Sequence, residues 1–305
     1  MRAADQRLSV EPFLATVLTG LLTGSVYALI AAGLALEFGI MRVINFAHGF
    51  IVMLAMFLAA LMWEAWGFSP YLSALILAPA AFFLGVGIYL GLIRPFLRRG
   101  AQPIVIALVT LAGAVVVEQA IVLQTGARPR AVRLGMSTAG LDILGVNVSV
   151  TRLVAALVAV AALSATAALL HLTAWGRRAR AVAQDPEAAK TLGIHPERIS
   201  AVAFGIGSAL AAVAGTAVVT YTPASPAAGL GFSLISFVIV VLGGLSSFRG
   251  AWVGGLLVGL VASFVGYYGN PGLQTTSYLV IFVVVLVLRP QGLFGDKGDL
   301  GEIRA

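Results

Sequence analysis

Glu118, with Gln119 beside it, is the carboxylate set deepest in any apolar run of this chain, midway to late in the segment 103–124. An ionisable group inside hydrocarbon is costly, so each one is a functional candidate by default. Two readings of Glu118 stay open. It lines a path and meets an ammonium group, or it lies near the outer interface and bonds to a neighbouring helix. Asn45-Phe46-Ala47-His48-Gly49 adds an amide and an imidazole in a glycine-punctuated loop. His48 reads as a hydrogen-bonded loop residue, with gating as the alternative. Ser25, Tyr27 and Thr110 are polar groups in apolar segments. Ser and Thr commonly bond to the preceding turn of their own helix, so these residues suggest a path only as a set. Glu37 and Arg42 read as a local pair at an interfacial helix end. His171, just before Trp175, reads as an interfacial anchor and His195 as a helix-terminus residue.

A second constellation lies in the polar stretch 173–198. Asp185 suits an N-cap, Pro186 the first helical position, and Glu187 the positive end of the helix dipole. Gly193 is a natural stop, with Pro196 just beyond. The pattern predicts a two-turn helix outside the membrane, on which Ala188 and Ala189 offer a close docking face. A segment that only connected two spans would not need such caps.

Catalytic chemistry is poorly supported. The chain has no cysteine, which excludes disulfides, thiolate metal sites and a thiol nucleophile. A P-loop needs a lysine after glycine, yet Lys190 follows Ala189 and Lys297 follows Asp296. H-E-x-x-H and G-x-S-x-G are absent, and no His/Asp/Glu spacing suggests a metal site.

The elements that position these residues follow from composition. Of 305 residues, 60% are hydrophobic and 10% charged, with a mean hydropathy of +1.02. Soluble domains carry about 25% charged residues, so lipid is the solvent for most of this chain. Backbone groups in lipid must pair internally, which leaves helices or closed barrels. Apolar runs near spanning length, without the alternation of barrel strands, predict an all-α transmembrane bundle. Nine spans are expected at 13–36, 44–63, 70–93, 103–124, 150–172, 199–221, 232–245, 251–268 and 275–288, with eight or ten allowed. The seventh and ninth are short. Residues 1–305 read as one transmembrane domain, with a retained first helix and 173–198 as its principal cytoplasmic loop.

The net charge of +7 suits basic cytoplasmic loops and requires no nucleic acid. With 173–198 inside, alternation puts Arg42, Arg94, Arg98, Arg99, Arg177, Arg178, Arg180, Lys190, Arg198, Arg249, Arg289, Lys297 and Arg304 inside. Arg2, Arg7, Arg128, Arg130, Arg133 and Arg152 fall outside. The C-terminus is then inside, and an odd span count puts the N-terminus outside. Glycines four apart at Gly20/Gly24, Gly87/Gly91 and Gly255/Gly259 predict close helix packing. Gly243-Gly244-Leu245-Ser246-Ser247-Phe248-Arg249-Gly250 loosely matches the Asn45–Gly49 loop. An internal repeat is one reading of that match.

Glu187-Ala188-Ala189-x-x-x-Gly193 resembles the EAA-x-x-x-G signature of ABC importer permeases. Its surroundings resemble the branched-chain amino acid permease family in Arg178-Ala179-x-Ala181, Asp185-Pro186, Leu192-Gly193-Ile194, Ala201-Val202-Ala203-Phe204 and Ala211-Ala212-Val213-Ala214-Gly215. So do Val43 to Gly49, Val241 to Leu245 and the ending Arg289 to Gly295. The matches run in order along most of the chain. The resemblance implies that Asp185, Glu187, Ala188, Ala189 and Gly193 belong to a coupling helix seated in an ATPase subunit. It implies two ATP-binding subunits, a second permease that is either another copy or, the favoured case, a homologous subunit in a heterodimer, a periplasmic solute-binding protein, and residence in the bacterial inner membrane. ATP would be bound by the partner, with no cofactor on this chain. The substrates implied are branched-chain or related amino acids, with urea, amides and aromatic acids among relatives. Family members often have an acidic residue after Gly49; here it is Phe50. The alternative, an ion-coupled secondary transporter of small polar solutes, would need buried carboxylates at broken helices, for which Glu118 is the candidate. An intramembrane enzyme lacks its motifs, and a passive channel leaves the capped helix unexplained.

Overall fold

The structure is a computed structural model that describes residues 2–135, 140–143 and 145–295, the side chains of residues 2–9 and Ile143 excepted. Arg2, Arg7, Lys297 and Arg304, counted above in the charge balance, lie outside the described side chains. Among the described residues eight helices are long and apolar enough to cross a membrane, and a shorter apolar helix, Ala228–Gly243, makes nine.

In chain order the helices are α1 (Arg2–Met41), α2 (His48–Trp66), α3 (Pro70–Ile88), α4 (Arg94–Arg98) and α5 (Pro103–Thr125). After them come α6 (Val150–Leu172), α7 (Ala174–Gln184), α8 (Pro186–Thr191) and α9 (Pro196–Val218). The last three are α10 (Ala228–Gly243), α11 (Phe248–Tyr268) and α12 (Gln274–Leu288). A π turn, Tyr89–Ile93, joins α3 to α4 just ahead of Pro95, where proline removes a backbone donor. The loop expected between α5 and α6 is not wholly irregular. An antiparallel hairpin, β1 (Gly140–Ile143) with β2 (Val146–Ser149), forms where Val146 and Val148 alternate with polar neighbours and bury one face.

Glycines set the tightest crossing. Gly24 lies against the backbone of Gly255 and Leu256, and Gly259 packs on Gly20 and Gly24, so α1 and α11 meet backbone to backbone. The same spacing at Gly87 and Gly91 meets nothing within 4 Å. Close spacing permits a groove, and only the fold decides whether a partner fills it. α9 is the most enclosed long helix, flanked by α1, α2 and α3, whereas α12 lies largely on the outside. The largest core cluster gathers Leu29, Phe57, Met56, Leu163 and Leu210 from α1, α2, α6 and α9.

Candidate functional site

The most polar place in the core is the interruption between α1 and α2. α1 runs past Glu37 to Met41, and Arg42 turns the chain with φ 54°. The chain then re-enters α2 at His48, packed on α9 and α10 rather than exposed at an interface. Glu37 is therefore not the interfacial residue that the sequence suggests. It is fully buried, and its carboxylate fills the space beside Gly207, the midpoint of Pro196–Val218.

Five side chains bind this break together. Asn45 Nδ2 donates to Glu37 Oε2 at 2.8 Å, and Asn45 Oδ1 accepts the Ala47 N–H at 3.0 Å. His48 Nδ1 stands 3.2 Å from Glu37 Oε1, and Nε2 stands 2.9 Å from the Ile30 carbonyl. A carbonyl only accepts, so Nε2 carries a hydrogen; the other bridge holds one proton, whichever partner keeps it. Either way the enclosed pair has no net charge, which suits a group that is 0% exposed. Thr110 of α5 accepts the Phe46 N–H at 3.3 Å while donating to the Ala107 carbonyl. Ser233 of α10 accepts the Gly49 N–H at 3.1 Å and donates to the Phe46 carbonyl at 2.6 Å. The exposed backbone of the break is thus satisfied from two other helices, as irregular backbone at membrane depth requires. Gly33 and Gly207 leave room for His48 and Glu37, and a methyl on Gly49 would overlap Ser233 and Gly229.

Of the residues suggested as a path, Asn45, His48 and Thr110 are brought together here. Ser25 bonds to the Leu21 carbonyl of its own helix. Tyr27 is half-buried between two core clusters and within electrostatic reach of Arg152. Glu118 is half-buried on α5, on the stripe with Thr110 and Ala114, and makes no hydrogen bond or ion pair among the described residues. Phe50 packs with Met53, Ala47 and Ala114. Sequence reading missed Ser233, because a serine in an apolar run has no signature until its partner backbone is in place.

The second candidate surface is α8. Asp185 accepts from the Glu187 and Ala188 N–H groups at 2.9 Å each, and Pro186 holds the first helical position. At the other end Gly193 has φ 75°, the Ile194 N–H donates to the Ala189 carbonyl and the Gly193 N–H to the Lys190 carbonyl. This is a Schellman stop. Lys190 pairs with Glu187 at 2.6 Å. The two alanines face opposite ways. Ala189 is 2% exposed, packed with Ala179, Val182 and Ile199, so it anchors α8 to α7 and α9. The outward face is Ala188 with Leu192, which is 77% exposed. Nearby, Glu197 at the start of α9 takes Arg94 at 2.6 Å and Arg98 at 2.9 Å, tying this loop to α4. His195 caps α9, and His171 is exposed at the end of α6. No group of three metal-ligating side chains exists among the described residues.

The nine apolar helices among the described residues, one of them broken from the next at an enclosed polar knot, define a multi-pass membrane protein. The family described as the permease component of branched-chain amino acid transport systems matches residues 16–288, and the chain belongs to it. It is 30% identical to the high-affinity branched-chain amino acid transport permease LivH of Salmonella typhimurium, over 93% of this chain and 96% of that one. BraD of Pseudomonas aeruginosa is 28% identical over the same shares. A probable LivH of Methanocaldococcus jannaschii is 28% identical over 88% of each chain. No solved structure matches the chain at a significant level.

Proposed function

We propose that this chain is the membrane-spanning permease subunit of an ATP-driven ABC importer, carrying branched-chain or related amino acids delivered by a periplasmic binding protein. Family membership supports the substrate class. The observation that carries the coupling is α8, a six-residue helix closed at both ends, whose outward Ala188 and neighbouring Leu192 have no cover among the described residues. In this reading two ATP-binding subunits receive α8 in a cleft, with Ala188 allowing close approach and Leu192 as the apolar anchor. Asp185 and Gly193 keep the helix formed, and buried Ala189 passes its displacement to α7 and α9. A homologous second permease completes the membrane domain, in the inner membrane, with 173–198 on the cytoplasmic side. Hydrolysis belongs to the partner.

One observation favours a second reading, ion-coupled transport: the Glu37–His48 pair holds a proton beside a broken helix. Both side chains are 0% exposed and bonded on each polar atom, so the pair reads better as a structural pin than as a stop on a proton path. The chain has no cysteine, which makes a crosslinking test direct. With Ala188→Cys, co-expressed with the ATPase subunits of its system, a position-specific crosslink to the ATPase is expected, and Gly193→Asp is expected to abolish uptake. Uptake that persists with no ATPase present, with Gly193→Asp harmless, would overturn the proposal.

A further inference from the structure

The hairpin end of the bundle, which the charge pattern places outside, carries a cavity of about 320 Å³. Three segments enclose it: residues 131–133 ahead of β1, the junction 149–152 of β2 with α6, and the turn 219–223 after α9. They are tied to one another. Arg130 and Ala224 exchange backbone hydrogen bonds at 2.9 and 2.8 Å, and the Tyr71 hydroxyl donates to the Thr151 carbonyl at 3.3 Å. The cavity is therefore built by packed backbone and not by a lone exposed loop.

Its chemistry is one-sided. Arg133 and Arg152 line it, and neither has a carboxylate partner among the described residues; the Arg152 guanidinium lies 5.7 Å from the Tyr221 ring centroid. By contrast Arg130, just outside, is already engaged by Glu64 and the Phe57 ring. Tyr221 lines the cavity with its ring, while its hydroxyl is buried and closed off from the space. Thr151 and Thr220 also line it but are buried, their hydroxyls engaged by Ser149 and by the Ala217 carbonyl, and Val132 and Val219 add an apolar wall. Two cations without a carboxylate partner leave the cavity short of acceptor oxygens. A planar carboxylate supplies two such oxygens and matches the fork of a guanidinium.

We infer that this cavity takes the α-carboxylate of the incoming amino acid, with Arg152 and Arg133 as its cations. The inference rests on the amino-acid reading above and adds to it the point of entry. The substrate's apolar side chain lies along Val132 and Val219, and Tyr27 of α1, within electrostatic reach of Arg152 and Tyr221, stands next on the way inward.

The test is protection of arginines from phenylglyoxal in the full chain in nanodiscs, read peptide by peptide by mass spectrometry. L-leucine and isovalerate, which share the carboxylate, are expected to slow labelling of Arg152 and Arg133. Leucinamide, which lacks it, is expected not to, and exposed Arg99 and Arg178 at the other end are expected to label alike throughout. Arg152→Gln is expected to weaken protection of Arg133 by roughly tenfold, the loss of one charge-assisted hydrogen bond. Equal protection by leucinamide, or none by leucine and isovalerate, overturns the site. Protection by the system's solute-binding protein alone also overturns it and makes this face a docking surface. ATP-dependent uptake by the same chain separates the two readings: uptake without protection removes the site and leaves the importer, while protection without uptake does the reverse.

Discussion

Between α1 and α2 the chain satisfies its broken backbone with side chains, and between α10 and α11 it does so with backbone. At the first break Glu37, Asn45, His48, Thr110 and Ser233 converge on residues 45–49 from three other stretches of sequence. At the second, Gly244 turns with φ 109°, and the segment after α12 lies alongside: the Leu293 and Phe294 N–H groups donate to the Leu242 and Gly243 carbonyls at 2.9 Å each. Ser247 caps α11 by accepting from the Gly250 N–H at 3.0 Å. Glycine contact between Gly243 and Gly250 does the packing. A side-chain knot is specific and fragile, since losing one member strands the others. A backbone pairing tolerates side-chain change and fails only where a Cβ intrudes. The two glycine-punctuated loops look alike in sequence and are built on different principles.

The sharpest way to break this contrast is Glu37→Leu. It leaves His48 and Asn45 buried without their carboxyl partner, a loss of about 3–5 kcal/mol for one member of a buried pair. Thermal unfolding in detergent is expected to shift to much lower temperature, with little protein reaching the membrane. An unchanged transition would mean that the knot is not the pin of the first break. Next in size is Gly49→Ala, whose methyl meets the backbone of Ser233 and Gly229. Overpacking of this kind costs about 1–3 kcal/mol, and the same scan is expected to report it. At the second break Gly292→Ala, at φ 77° and with a methyl that would lie 2.6 Å from the Gly244 nitrogen and the Val241 carbonyl oxygen, is expected to cost about 1–3 kcal/mol through left-handed strain and overpacking. Side-chain changes there, such as Leu245→Val, are expected to matter less. The smallest global effect is expected from Asp185→Ala, about 1 kcal/mol for a lost cap. Hydrogen exchange over 186–193 rises while the unfolding midpoint of the bundle stays in place, and uptake falls because α8 no longer holds its form.

What the sequence tells, and what it hides, follows from the range of the forces involved. Lipid imposes its demand segment by segment, so the nine apolar runs lie close to where the helices form, and Asp185, Pro186 and Gly193 announce a helix through local bonds alone. Glu37 is different. Its partners Asn45 and His48 lie across a chain reversal, and its space is provided by Gly207 on α9, so nothing beside it in sequence separates a buried knot from an interfacial pair. Ala188 and Ala189 are adjacent and chemically identical, and only the docking of α8 on α7 and α9 decides which one faces out. The cavity at the hairpin end is hidden for the same reason, since Arg133, Arg152 and Tyr221 come from three separate segments.

The central claim is that a separate ATPase drives this chain and that the buried proton of Glu37–His48 is structural. The most direct test is leucine uptake into proteoliposomes holding the chain with its second permease and ATPase subunits, and binding protein outside. The account predicts uptake that requires ATP within the vesicle-facing ATPase compartment, is stopped by vanadate, and is indifferent to a protonophore. Uptake driven by an imposed proton gradient, without ATPase subunits and collapsed by the protonophore, would contradict it.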